Sequence, residues 1–156
     1  TEVNTELTVL ETSKEWPENL GVGKPYDNMI DNRLEDYLEA KAAAGQGDSR
    51  KTSALLAAVA DYTISRSHFE SGNLLSALAL RESGKVQEAD HMVAAWSTDF
   101  PENRVVQWCT AIYRGEKEKA VGMLQSRNDQ TNTTPWEASF RDSNFDLIVR
   151  LFSTEQ

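Results

Sequence analysis

The feature that most limits what this chain can fold into is a gap-free internal repeat. Residues 78–85, followed by Glu88-Ala89, align 31 positions on with residues 109–116, followed by Lys119-Ala120. In each copy a glycine stands five residues ahead of an alanine, Gly84 before Ala89 and Gly115 before Ala120, with periodic apolar residues on both sides. Such a pattern describes a helical hairpin. Glycine tolerates the positive φ of a sharp turn, and alanine is small enough for two helices to cross closely. One hairpin buries its apolar face only by stacking on a neighbour, so the repeat predicts an array.

A second recurrence sets Trp16-Pro17-Glu18-Asn19 against Phe100-Pro101-Glu102-Asn103. Proline ends a helix and asparagine caps the next, so this is a stop-and-restart signal. Apolar spacing then places helices over roughly 27–44, 49–67, 72–83, 86–98, 103–113, 116–126 and 143–152, with another starting at Thr134-Pro135-Trp136-Glu137. In the first of these, Ile30, Leu34, Leu38 and Ala42 fall on one face, and Asn32 with Glu35 forms a capping-box pattern. The polar stretch 126–133 reads as a loop, and no alternating Val/Ile/Thr-rich strand competes. The fold class expected is all-α, built of stacked antiparallel hairpins.

These residues resemble the tetratricopeptide repeat family, whose unit is about 34 residues long. The family's turn glycine, crossing alanine and terminal proline fall on Gly84, Ala89 and Pro101; Gly115 and Ala120 match the next unit, and Gly47 with Thr52 a looser earlier one. The resemblance implies a right-handed superhelix with units at roughly 1–17 (partial), 27–67, 70–101, 103–126 and 135–152, making one helical domain over 1–156. A narrower likeness, over Trp16-Pro17-Glu18-Asn19-Leu20-Gly21-Val22-Gly23-Lys24-Pro25, is to large bacterial proteins that join a β-rich, sugar-enzyme-like region to C-terminal repeats of this kind. With no initiator Met, the expectation is a C-terminal fragment cut from a longer array.

Composition narrows the function. A net charge of −9 disfavours nucleic acid and anionic membrane, which bind through Lys and Arg. No apolar run approaches the ~20 residues of a membrane span. Cys109 is the only cysteine, which rules out an intrachain disulfide and is compatible with a reducing, cytoplasmic setting. His68 and His91 are too far apart in sequence for a metal pair and read as surface histidines. Asp142-Ser143-Asn144-Phe145-Asp146 has Leu147 where a calcium loop needs glycine, so it reads as an acidic helix cap. Gly21-Val22-Gly23-Lys24 runs into Pro25 and is a turn rather than a phosphate loop. Of the tryptophans, Trp96 and Trp108 fall on packing positions, while Trp16 and Trp136 flank prolines.

The function expected is therefore a non-catalytic interaction module without cofactor or metal. Its partner would be a protein segment or a neighbouring domain of the same chain, with homo-oligomerisation through open repeat ends as a further route. The alternative, implied by the narrower likeness, is an accessory domain of a carbohydrate-active bacterial enzyme. In the family's arrangement the first helix of each unit lines the concave side. The candidate surface is then Leu74, Leu78, Arg81 and Glu82 from one unit, with Val105, Cys109, Ile112 and Tyr113 from the next. An apolar face of that size needs a cover, either a partner or the chain's own last helix.

Overall fold

The computed structural model describes residues 30–66, 68–129, 142 and 144–153. The chain divides into two units, Thr1–Asp31 and Asn32–Gln156, and the first lies almost wholly outside the described residues. So do the partial unit at 1–17, the Trp16 motif, Trp136 and the helix start at Thr134. Among the described residues of the second unit are seven helices: α1 (Arg33–Gly45), α2 (Ser49–Ile64), α3 (Gly72–Glu82), α4 (Val86–Asp99), α5 (Arg104–Tyr113), α6 (Lys117–Asp129) and α7 (Phe145–Ser153). Among the described residues there is no strand.

Three turns pair the first six helices. Gly47, Gly84 and Gly115 have φ of 77°, 83° and 75° and are the positive-φ glycines among the described residues. Each closes its helix with the same two bonds. Gly47, Gly84 and Gly115 donate to the carbonyls of Ala44, Arg81 and Ile112, and the following Asp48, Lys85 and Glu116 donate to those of Ala43, Leu80 and Ala111. This pair is the Schellman motif, which satisfies carbonyls that a helix end otherwise strands. Restarting the chain is a separate task. The Asp48 carboxylate caps α2 through Lys51 N–H, and Asn103 caps α5 through Val105 and Val106. Asn32 makes no such bond, so the capping box read at Asn32 and Glu35 does not form.

Packing follows the turn register. Four, seven and ten residues before each turn glycine stand Ala43, Ala40 and Tyr37; Leu80, Ala77 and Leu74; and Ala111, Trp108 and Val105, all buried. The first helices touch in a row, α1 with α3 and α3 with α5, while α2 packs on both α1 and α3, and α4 on both α3 and α5. Helix α3 has neighbours on every side, and every residue from Gly72 to Leu80 is buried.

Two expectations of the sequence are corrected. In α1 the buried residues are Arg33, Leu34, Tyr37, Ala40 and Ala43, whereas Ile30 and Leu38 are 58% and 44% exposed and Ala42 faces outward. Reading every fourth residue from Ile30 started before the helix did and turned its face. Helix α6 runs on to Asp129, through positions 126–129 that had read as loop.

At one end of α3 a buried cation ties the first two hairpins. Arg33, 2% exposed, donates through Nη1 to Thr63 Oγ1 at 2.7 Å and Asn73 Oδ1 at 2.6 Å, and through Nη2 to Glu70 Oε2 at 2.8 Å. The guanidinium also lies 4.5 Å from the centre of the Tyr62 ring. The Thr63 and Ser76 hydroxyls are 2.6 Å apart, and Ser76 Oγ donates to the Val59 carbonyl at 2.7 Å. Gly72 is what makes room: a Cβ there would lie 2.6 Å from Arg33 Cζ.

Substitutions on these contacts have defined outcomes in chemical denaturation. Gly72→Ala alone should cost about 1–3 kcal/mol by displacing the guanidinium. In an Arg33→Ala background it should cost close to nothing, a coupling of the kind a double-mutant cycle isolates. Ala89 and Ala120 are buried, as the repeat required of its crossing positions. Ala89→Leu should therefore cost ~1–3 kcal/mol through overpacking, while Ala42→Leu on the outward face should stay within about 0.5 kcal/mol. Equal losses at both sites would contradict the register.

Candidate functional site

Most of the surface expected from the sequence is interior. Leu74, Leu78, Val105, Cys109 and Tyr113 are buried, Ile112 is half-buried, and only Arg81 and Glu82 are exposed. The correction has a packing cause. Helix α3 is enclosed by α2 and α4 as well as by the first helices α1 and α5, and α7 packs on α5. Phe145 meets Trp108 edge-on at 5.4 Å and Phe152 meets it at 6.5 Å. Before α7, Asp142 Oδ2 accepts the Ser71 N–H at the start of α3, at 2.6 Å. This seat is mainly apolar: the Arg127–Asp146 pair at 3.1 Å is exposed, and the buried Trp108 Nε1 has no hydrogen-bond partner among the described residues.

The polar members of the expected surface serve as ties between units. Arg81 Nη1 donates to the Tyr113 carbonyl at 2.8 Å, with its guanidinium 4.8 Å from that ring. Tyr113 Oη donates to Asp90 Oδ1 at 2.7 Å. Glu82 Oε1 accepts from Tyr37 Oη at 2.7 Å and Lys41 Nζ at 2.9 Å. Burial pushes the Tyr113 phenol up to about 12, reinforced by its bond to the Asp90 carboxylate and opposed by Arg81. Burial likewise raises the Cys109 thiol well above its usual value, and the Asp142 charge adds to this. A buried, protonated thiol is a small apolar group, not a nucleophile.

Open space lies instead at the joints between hairpins. The larger cleft, about 510 Å3, runs between α2 and the C-terminal end of α3. Leu56, Ala57, Ala60 and Leu80 supply its apolar floor; Ser49, Thr52, Ser53 and Ser83 bring hydroxyls; Asp61, Glu82 and Lys85 bring charge. A second cleft of about 300 Å3 lies between α4 and α5, lined by Ser97, Phe100, Pro101, Val106, Gln107, Thr110, Arg114 and Lys119. Counted from their turn glycines, Ala60 and Ser97 are equivalent, as are Ile64 and Pro101, and Ser83 and Arg114. All six line their clefts, so the two are one joint used twice. The repeat pattern draws attention to the first helices and not to this joint. The outward-facing small residues Ser53 and Ala57 of α2 were the available signal.

Among the described residues no group of three or more His, Cys, Asp or Glu could hold a metal ion, and no helix is long and apolar enough to cross a membrane. His91 lies on the surface of α4, while His68 stands in the loop before α3 and bonds Glu70 Oε1 at 3.0 Å. No protein-family model, curated protein or solved structure matches the chain.

The Tyr113 phenol gives a pH test. Its folded pKa of about 12 exceeds the unfolded value near 10, so its contribution is complete below pH 10 and is lost as pH rises towards 12. Tyr113→Phe should cost about 0.5–1.5 kcal/mol at pH 8. The difference between wild type and variant should shrink between pH 10 and 12. A difference constant across that window would show that the Tyr113–Asp90 bond is absent in solution.

Proposed function

We propose that the chain is a non-catalytic interaction module of tetratricopeptide-like hairpins wound in a right-handed superhelix, and that a protein segment docks in the α2–α3 cleft. The architecture is supported by the three identically bonded glycine turns and by the row of first helices α1, α3 and α5. What carries the docking reading is the cleft itself. Its volume of about 510 Å3 is in the range of ligand sites, and an apolar floor beneath a rim of hydroxyls suits a peptide. An apolar side chain from the segment would cover Leu56, Ala57 and Leu80. The segment's backbone would meet Ser49, Ser53 and Ser83. The segment comes from a partner or from a neighbouring domain of the same chain; the chemistry is shared.

Selection of displayed random peptides on the immobilised full chain tests this. The pool should be enriched in apolar anchors and should be lost on an Ala57→Trp variant, which fills the cleft. Because Ala57 is outward-facing, the variant's stability should stay within about 0.5 kcal/mol of wild type. No enrichment, or the same pool on the variant, would overturn the reading.

A further inference from the structure

We propose that the second cleft, between α4 and α5, is a distinct docking site that takes an acidic side chain together with an apolar one from a protein segment. The proposal rests on the reading of the chain as an interaction module and adds the chemistry of what the second joint recognises. The two clefts occupy the same joint, yet their charge differs in sign. The first carries the carboxylates Asp61 and Glu82 beside Lys85, whereas the described residues lining the second include two cations, Arg114 and Lys119, and no carboxylate. In a chain with 25 acidic against 16 basic residues, a concavity whose described charged residues are all cations is opposite in sign to the chain as a whole.

The chemistry around these cations is specific. The Arg114 side chain makes no hydrogen bond or ion pair with a described residue, so its donors are available. Lys119 Nζ is held by Glu116 Oε2 at 3.0 Å, an exposed pair of the kind that exchanges readily for another carboxylate. Ser97 Oγ and Thr110 Oγ1 stand 3.3 Å apart. Ser97 Oγ already donates to the Val93 carbonyl at 3.1 Å, so the Thr110 hydroxyl is the donor between the two and a ligand carboxylate is left to Arg114 and Lys119. Beside them Phe100 and Pro101 form an apolar wall, and Phe100 is 38% exposed. Gln107 is already engaged, accepting from Arg104 at 3.2 Å and donating to the Pro101 carbonyl at 2.7 Å, which stiffens the wall. An apolar residue on that wall places a neighbouring Asp or Glu within reach of Arg114. A polyanion such as nucleic acid is a poor fit, because it binds by accumulating phosphate contacts and would meet two cations on a chain of net charge −9.

The same display selection on the full chain separates this site from the first. A second pool, pairing Asp or Glu with an apolar residue, should survive on Ala57→Trp and disappear on Arg114→Glu. A synthetic peptide from that pool, titrated into isotopically labelled chain, should shift the amide resonances of Thr110 and Arg114. Its affinity should fall about tenfold with Arg114→Glu, and comparably when the peptide's carboxylate is replaced by an amide. A lysine-bearing peptide should regain affinity on Arg114→Glu. Arg114→Gln, which removes the charge without reversing it, should give an intermediate loss in a folded protein. The proposal is overturned if no acidic pool appears, if Arg114→Glu leaves that pool intact, or if inorganic phosphate or a short oligonucleotide displaces the peptide at equal concentration. Loss of the acidic pool alone removes this site and leaves the first standing; loss of both removes the interaction module.

Discussion

The buried guanidinium of Arg33 sets terms that much of the surrounding structure has to meet. An ionised group taken out of water is tolerated only when its donors are bonded, and removing one partner of such a set is more damaging than never having built it. Here the partners come from three places: Thr63 at the end of α2, Glu70 in the following loop and Asn73 in the first turn of α3. Their convergence on the first residue of α1 orients two hairpins at once. It also explains a glycine in the first turn of α3, where any side chain would strike the guanidinium. The hydroxyl relay from Thr63 through Ser76 to the Val59 carbonyl carries the same polar seam into the interior, so that Ser76 is buried without being stranded.

Away from that seam the structure is held by repetition. The same Schellman closure ends α1, α3 and α5, and the same three positions ahead of each glycine are buried. The residues filling them differ in size, from Ala40 and Ala77 to Trp108. The larger Trp108 is the one that meets the last helix, whose Phe145 and Phe152 pack against its ring. Helix α7 thus covers part of the face of α5 that carries Trp108.

Burial also decides which groups can meet a ligand. Cys109, buried and protonated, has lost its chemistry to the core. Tyr113, Arg81 and Glu82 spend their polar atoms on neighbouring units. The joints are different because a second helix packs on two first helices and leaves a gap along one flank. Side chains there do not have to fill space, so their polarity is free to vary between equivalent positions, as Ser83 and Arg114 do.

The sequence by itself determined what local chemistry dictates. Glycines at 47, 84 and 115 announce the turns because a left-handed backbone excludes most other residues, and Asn103 announces a helix start because its side chain bonds nearby amides. Ala89 and Ala120 were legible as buried positions from their place after the turn glycines. What the sequence could not decide was which face of a helix meets which neighbour. The α1 face was misjudged because apolar spacing read from Ile30 ignores where the helix begins. The first-helix surface was read as a groove because apolar residues that bind and apolar residues that pack look identical along a chain. Only the tertiary structure, by setting α3 against α1, α2, α4 and α5, settled that Leu74, Leu78 and Cys109 are interior. The clefts lay further out of reach, since each is the gap between elements whose spacing depends on every contact in the stack.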